Sequence, residues 1–143
     1  MSYQPINITA STLSLVASSH GDATITANRA AGITFTLPAS TGAGAKFRIV
    51  TGTTVTSNNL IVQVANATDI MTGTALLAQD AADTAVLFET ASDSDTVTMN
   101  GTTKGGIKGD ILEFEDVSSG LWSVRIVGSA TGTEATPFSA AVS

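Results

Sequence analysis

The one histidine of the chain, His20, lies in Ser-Ser-His-Gly-Asp, where Ser19, His20 and Asp22 supply the residue types of a hydrolytic triad. A triad needs its nucleophile, base and orienting acid lined up around a scissile bond, and this is achieved by separated segments held on a scaffold. Three neighbours in sequence do not meet that demand, so His20 reads as a turn residue. A zinc centre wants three or four His or Cys ligands, and the chain has one His and no Cys.

Carboxylates are the remaining candidates. Asp93 and Asp95, in Ala-Ser-Asp-Ser-Asp-Thr, match the opening of a calcium loop, but the Gly and Glu that such a loop requires further on are absent. Glu113 and Glu115 fall on one face of a strand pattern, about 7 Å apart along the backbone. Paired carboxylates serve glycosidases, usually from different segments and in a cleft lined with aromatics. Aromatic residues are 5% of this chain, and Phe114 and Trp122 alternate like core positions. The Glu pair is therefore assigned to structure or to an interface.

The stretch Ser-Thr-Gly-Ala-Gly-Ala-Lys at 40–46 has the glycine content of a phosphate-binding loop. It lies between two strand patterns and no helix N-terminus follows to receive an anion, so a hairpin turn is the expectation. Asn7, Asn66 and Asn100 head glycosylation-type triplets. No basic-then-apolar leader pattern precedes them, and they are taken as a product of abundant Asn and Thr.

The elements that would have to position any site are strands. Ile33, Phe35 and Leu37 alternate with Thr34 and Thr36, and the period of two recurs at Phe47 and Ile49, at Leu60, Val62 and Val64, at Val97 and Met99, at Leu112 and Phe114, and at Trp122, Val124 and Ile126. Charged residues are only 13% of the 143, and Thr, Ser, Ala and Gly fill the polar fraction. Thr suits a pleated, half-wet surface. About eight or nine strands are expected, over 12–17, 23–27, 33–37, 46–50, 60–64, 85–89, 96–100, 111–115 and 121–127. Gly-, Asn- and Ser-rich turns separate them. Residues 75–82 allow a turn or two of helix or a loop. The expected fold is all-β, an antiparallel β-barrel or β-sandwich with extended terminal arms.

The length fits a single β domain at 12–127, between an N-terminal arm at 1–11 and a C-terminal tail at 128–143. Tyr3, Pro5, Ile6 and Ile8 are isolated anchors in the first segment, as are Pro137 and Phe138 in the last. Such ends either fray or order on a partner through a few buried side chains. The six Lys and Arg are scattered in a chain of net charge −6, which disfavours nucleic-acid binding. No apolar run approaches the roughly 18 residues of a membrane span, so a soluble protein made in a cytoplasm is expected.

Thr-Leu-Pro-Ala-Ser-Thr-Gly-Ala-Gly-Ala-Lys-Phe-Arg-Ile-Val at 36–50, Thr-Ser-Asn at 56–58 and Ile-Val-Gln-Val-Ala-Asn-Ala-Thr-Asp at 61–69 resemble segments of small structural proteins of tailed bacteriophages. So do the turn at 100–109, Gly-Asp-Ile-Leu-Glu-Phe-Glu-Asp-Val at 109–117, Leu-Trp-Ser-Val at 121–124 and Gly-Thr-Glu-Ala-Thr-Pro-Phe at 132–138. The likeness spans residues 23–140, and its motifs are turns and core strands.

The family resembled is that of capsid decoration, or cement, proteins. The resemblance implies a β-rich homotrimer on the virion exterior, seated where capsomers meet, with the major capsid protein as partner. It carries over no catalytic residue, cofactor or metal. Tyr3, Pro5, Ile6, Pro137 and Phe138 are the candidate contacts to neighbouring subunits or the shell. The alternative is a head-fibre or tail component that binds a host-surface glycan. An enzyme built on Glu113 or Glu115 ranks below both.

Overall fold

A computed structural model describes residues 4–142. The alternating segments form strands, and the strands fall into two open sheets with no closed barrel. In chain order the strands are β1 (Ile6–Ile8), β2 (Thr12–Ser14), β3 (Thr24–Ala27), β4 (Thr34–Thr36), β5 (Lys46–Thr51), β6 (Leu60–Gln63), β7 (Ile70–Gln79), β8 (Thr84–Glu89), β9 (Thr96–Met99), β10 (Ile111–Ser118), β11 (Leu121–Ser129) and β12 (Phe138–Ser139). A single turn of helix, α1 (Ala17–His20), follows β2. Among the described residues no helix is long and apolar enough to cross a membrane.

The seven-stranded sheet has the order β1-β3-β5-β10-β11-β7-β8 and the five-stranded sheet the order β12-β9-β6-β4-β2. The first six strands alternate between the two sheets, so neighbours within a sheet are two apart in the chain. They therefore run parallel: β1 with β3, β3 with β5, β2 with β4 and β4 with β6. The second half forms antiparallel pairs, with β5–β10, β10–β11, β7–β8, β6–β9 and β9–β12. One further parallel pair, β11–β7, lies within the second half, and β5–β10 and β6–β9 join the halves. The expectation of an antiparallel fold is thus corrected to two mixed sheets. Periodicity gives the face of a strand but not the direction of its neighbour.

Side chains from both sheets fill one core. Phe35, Val62 and Val97 come from the five-stranded sheet, and Ile25, Ile49, Leu112, Phe114 and Ile126 from the seven-stranded one. Phe47 and Trp122 meet at its centre with ring centroids 5.9 Å apart and planes tilted by 42°. Each such side chain contributes on the order of 1.5–3 kcal/mol by leaving water, and the alternation in sequence is the imprint of this burial.

Four segments differ from expectation. Residues 75–79, open to helix or loop from Ala and Leu propensity, belong to β7, which is gripped by β11 on one side and β8 on the other; only Asp80–Ala82 coil, as a 3-10 turn. The strand expected over 12–17 ends at Ser14, and Ala17 onward is helical. The terminal segments expected as arms pair with the sheets, since β1 adds to β3 and β12 adds to β9.

Gly73 shows why β7 tolerates a glycine in mid-strand. Its φ is +153°, and a Cβ there would stand 1.8 Å from the Val124 carbonyl oxygen on β11. The two parallel strands can approach only because that atom is missing.

Candidate interaction face

The inner face of the seven-stranded sheet enters the core, so its alternate positions form a broad outer face. Register places Thr24, Arg48, Glu113, Arg125, Thr74 and Glu89 in one row across β3, β5, β10, β11, β7 and β8. Charges of opposite sign stand on neighbouring strands, the arrangement that stabilises cross-strand pairs. In the next row Lys46 Nζ lies 3.9 Å from Glu115 Oε1. Lys46, Arg48 and Arg125, half of the six Lys and Arg of the chain, share this face with Asp22, Glu113 and Glu115 around a shallow concavity of about 450 Å³.

On the other side of the charged row the same register aligns Val50, Ile111, Val127, Leu76 and Leu87. Leu87 is 65% exposed, Val127 49% and Leu76 38%. An apolar row at the solvent side of a sheet is the kind of feature that marks a contact surface. Sequence reasoning missed it. The signal is the Leu76–Leu77 doublet, which breaks the alternation so that Leu77 enters the core and Leu76 faces out.

The residues weighed for chemistry are bound into the fold. His20 Nδ1 accepts the Val16 N–H at 2.9 Å and so closes the N-terminus of α1. The Asp22 N–H donates to the Lys46 carbonyl at 2.9 Å, which fastens the same turn to β5. Glu113 stands between Arg48 and Arg125, and Glu115 faces Lys46; the pair lies in an ionic ladder. The rings that neighbour it in sequence and register, Phe114 and Phe47, are buried. Asn66 Oδ1 accepts from the Thr68 N–H, the Thr68 hydroxyl and the Asp69 N–H, and Asn100 Oδ1 from the Thr102 and Lys104 N–H groups, so both amides shape turns. Among the described residues no group of three or more His, Cys, Asp or Glu is gathered as for a metal ion.

Asp95, singled out as part of a calcium-loop opening, is buried and holds the segment 139–142. Its Oδ1 accepts the Ala141 N–H at 2.8 Å and the Val142 N–H at 3.2 Å, while its own N–H donates to the Ser139 carbonyl at 3.0 Å. Asp93, two residues earlier, is exposed. The tail carries Pro137 and Phe138 into buried positions, with Phe138 in the core cluster. As contacts to another molecule these two are already occupied by their own chain. Pro5 is exposed and Ile6 half-buried on β1, and Tyr3 lies outside the described residues.

The glycine-rich stretch at 40–46 docks against the β10–β11 turn. The Ser40 hydroxyl donates to Asp116 Oδ1 at 2.7 Å, and the N–H groups of Thr41 and Gly42 add bonds of 2.9 Å each. The Ser40 N–H donates to Asp69 Oδ2 at 2.8 Å. Burial raises the affinity of Asp116 for a proton, but the N–H groups of Thr41, Gly42 and Ala43 and the Ser40 hydroxyl outweigh it and hold the carboxyl below its ordinary value. At Asp110 burial prevails and pushes the carboxyl up, against hydrogen bonds from the N–H groups of Ile107, Ser129 and Gly106.

Compared with known proteins, the chain matches no family model, no curated protein and no solved structure.

Proposed function

We propose that this chain is a virion structural protein that decorates the outside of a tailed-phage capsid and stabilises it, as a homotrimer bound to the major capsid protein at capsomer junctions. The observation that carries the reading is the likeness of its turn and strand segments to small phage structural proteins. Those segments include the turn that Ser40 and Asp116 lock and the β10–β11 hairpin.

The geometry supports a passive, load-bearing role. Two sheets packed as a sandwich spread force over many ladder bonds, and the outermost described strands, β1 and β12, each pair with a sheet. The broad outer face, part ionic and part apolar, suits contact with another protein surface. A trimer that touches several capsomers binds avidly, because after the first contact the others are effectively intramolecular. Identical copies around one axis match threefold positions of an icosahedral shell.

The concavity beside Arg48 and Glu113 favours a second reading, a fibre or tail component that holds a polar glycan. It offers ionic groups but no exposed ring on which a sugar would stack.

Cosedimentation with shells of the phage that encodes the chain, stripped of it beforehand, tests the proposal. Saturable pelleting supports it, and protein left in the supernatant at all concentrations overturns it.

A further inference from the structure

β8 forms one edge of the seven-stranded sheet, and among the described residues no strand pairs with its far side. Edge strands are normally blunted by Lys, Pro, a bulge or brevity. β8 has none of these: it runs six residues as Thr-Ala-Val-Leu-Phe-Glu, in unbroken register with β7. Among the described residues its outer-face Leu87 is also the most exposed large apolar side chain.

The free side of this strand has a defined hydrogen-bonding pattern. The Thr90 N–H donates to the Gly73 carbonyl. Since ladder bonds alternate along a strand, the N–H and C=O groups of Phe88, Val86 and Thr84 point toward β7. Those of Ala85, Leu87 and Glu89 point away, ready for another strand.

We propose that β8 pairs with β8 of a second copy of this chain, antiparallel and about a twofold axis at Leu87. The register follows from the residues. Opposed residues share a face, so the axis must pass through a residue position. Centred on Leu87, the pairing sets Leu87 against its own copy and Val86 against Phe88, with Glu89 opposite the small Ala85. Centred on Val86 it would set Asp83 against Glu89, a like-charge clash. Centred on Phe88 it would set Leu87 against Glu89. Only the first joins apolar to apolar on both faces without repulsion. It also runs the row Val127, Leu76, Leu87 straight into the same row of the second copy. Such a contact is isologous and closed; it uses main-chain bonds for affinity and side-chain register for specificity.

The contact goes beyond the decoration reading and does not require it. Where that reading holds, adjacent threefold positions of a shell are related by local twofold axes, so the same edge links neighbouring trimers into a net.

Light scattering over a concentration series tests the inference on the full-length chain. The wild type is expected to double in mass with rising concentration, whatever its starting species. Leu87→Lys raises the midpoint of doubling at least about tenfold, whereas Ala85→Lys, which sets Lys opposite Glu89, lowers it about threefold. The native chain has no Cys, so Leu87→Cys reads the axis directly. In a hydrogen-bonded antiparallel pair the Cα atoms stand about 5.5 Å apart, within disulfide range, so mild oxidation gives a covalent dimer. Leu76→Cys gives none, because three strand spacings separate its two copies by about 14 Å. A mass constant across concentration, doubling that survives Leu87→Lys, or equal oxidation of the two Cys variants overturns the inference. The decoration reading fails by a separate result, an absence of shell binding by wild type and variants alike.

Discussion

The Ser40 hydroxyl donates to Asp116 Oδ1 at 2.7 Å, joining residues 76 positions apart in the chain. The same hydroxyl oxygen accepts the Leu121 N–H at 3.1 Å, and Asp116 takes the Thr41 and Gly42 N–H groups. This buried knot fastens the 40–44 turn to the β10–β11 hairpin. Its members depend on one another, because a buried polar group that loses its partner bears the full cost of desolvation. Ser40→Ala is expected to destabilise the chain by about 1–3 kcal/mol in denaturant unfolding; a loss within error of zero would mean that water replaces the hydroxyl.

The same carboxylate sets part of the pH response. The Asp116 pKa lies below 3.8 in the folded chain, so its stabilising contribution is complete above pH 3.8 and disappears as pH falls through the lowered value. Asp110, raised above 3.8, has the opposite sign: its contribution is present below pH 3.8 and is lost as pH rises through the raised value. Asp116→Asn should therefore be less stable than wild type at pH 7, with the gap narrowing below pH 3.8. A gap independent of pH would show that the carboxylate charge contributes nothing.

Phe138 is 8% exposed and belongs to the core, while Asp95 holds the residues that follow it. Phe138→Ala is expected to cost about 3–5 kcal/mol and to expose the tail to proteolysis. Deletion of 128–143 would remove the end of β11 as well as β12, so loss of shell binding in that truncation reports unfolding. An unchanged unfolding midpoint for Phe138→Ala would contradict the packing described.

Gly73→Ala brings a Cβ against the Val124 carbonyl at a distance no real contact reaches. Because β7 lies between β11 and β8, separating it from β11 detaches the β7–β8 hairpin and bares two further strand edges, those of β7 and β11. The variant is expected to fold poorly and aggregate, and a soluble variant with wild-type stability would refute the close approach.

Much of this architecture is legible in the sequence. The strands around Phe35, Phe47, Val62, Phe114 and Trp122 announce themselves because one face is buried and the other wet. β7 does not. Its inner positions, Met71, Ala75 and Leu77, also alternate, but Gly73 interrupts the pattern and the outward Leu76 hides it. Ala, Leu and Gln favour helix until two flanking strands overrule them. Parallel pairing was illegible because it follows from how the chain alternates between sheets, which no local pattern records. Pro137 and Phe138 read as anchors in a polar tail, and both are buried, but the sequence does not say whose core receives them. The outer face was half legible: Lys46, Arg48, Glu113 and Glu115 each read as a wet position, while their alignment into a ladder depends on register.

A cryo-electron-microscopy difference map tests the proposed place on a virus particle most directly. Tailed-phage shells would be imaged with and without the added chain. The account predicts added density on the outer surface, threefold in shape, at the junctions of capsomers. A shell surface unchanged by the chain, or density confined to the tail, would contradict it.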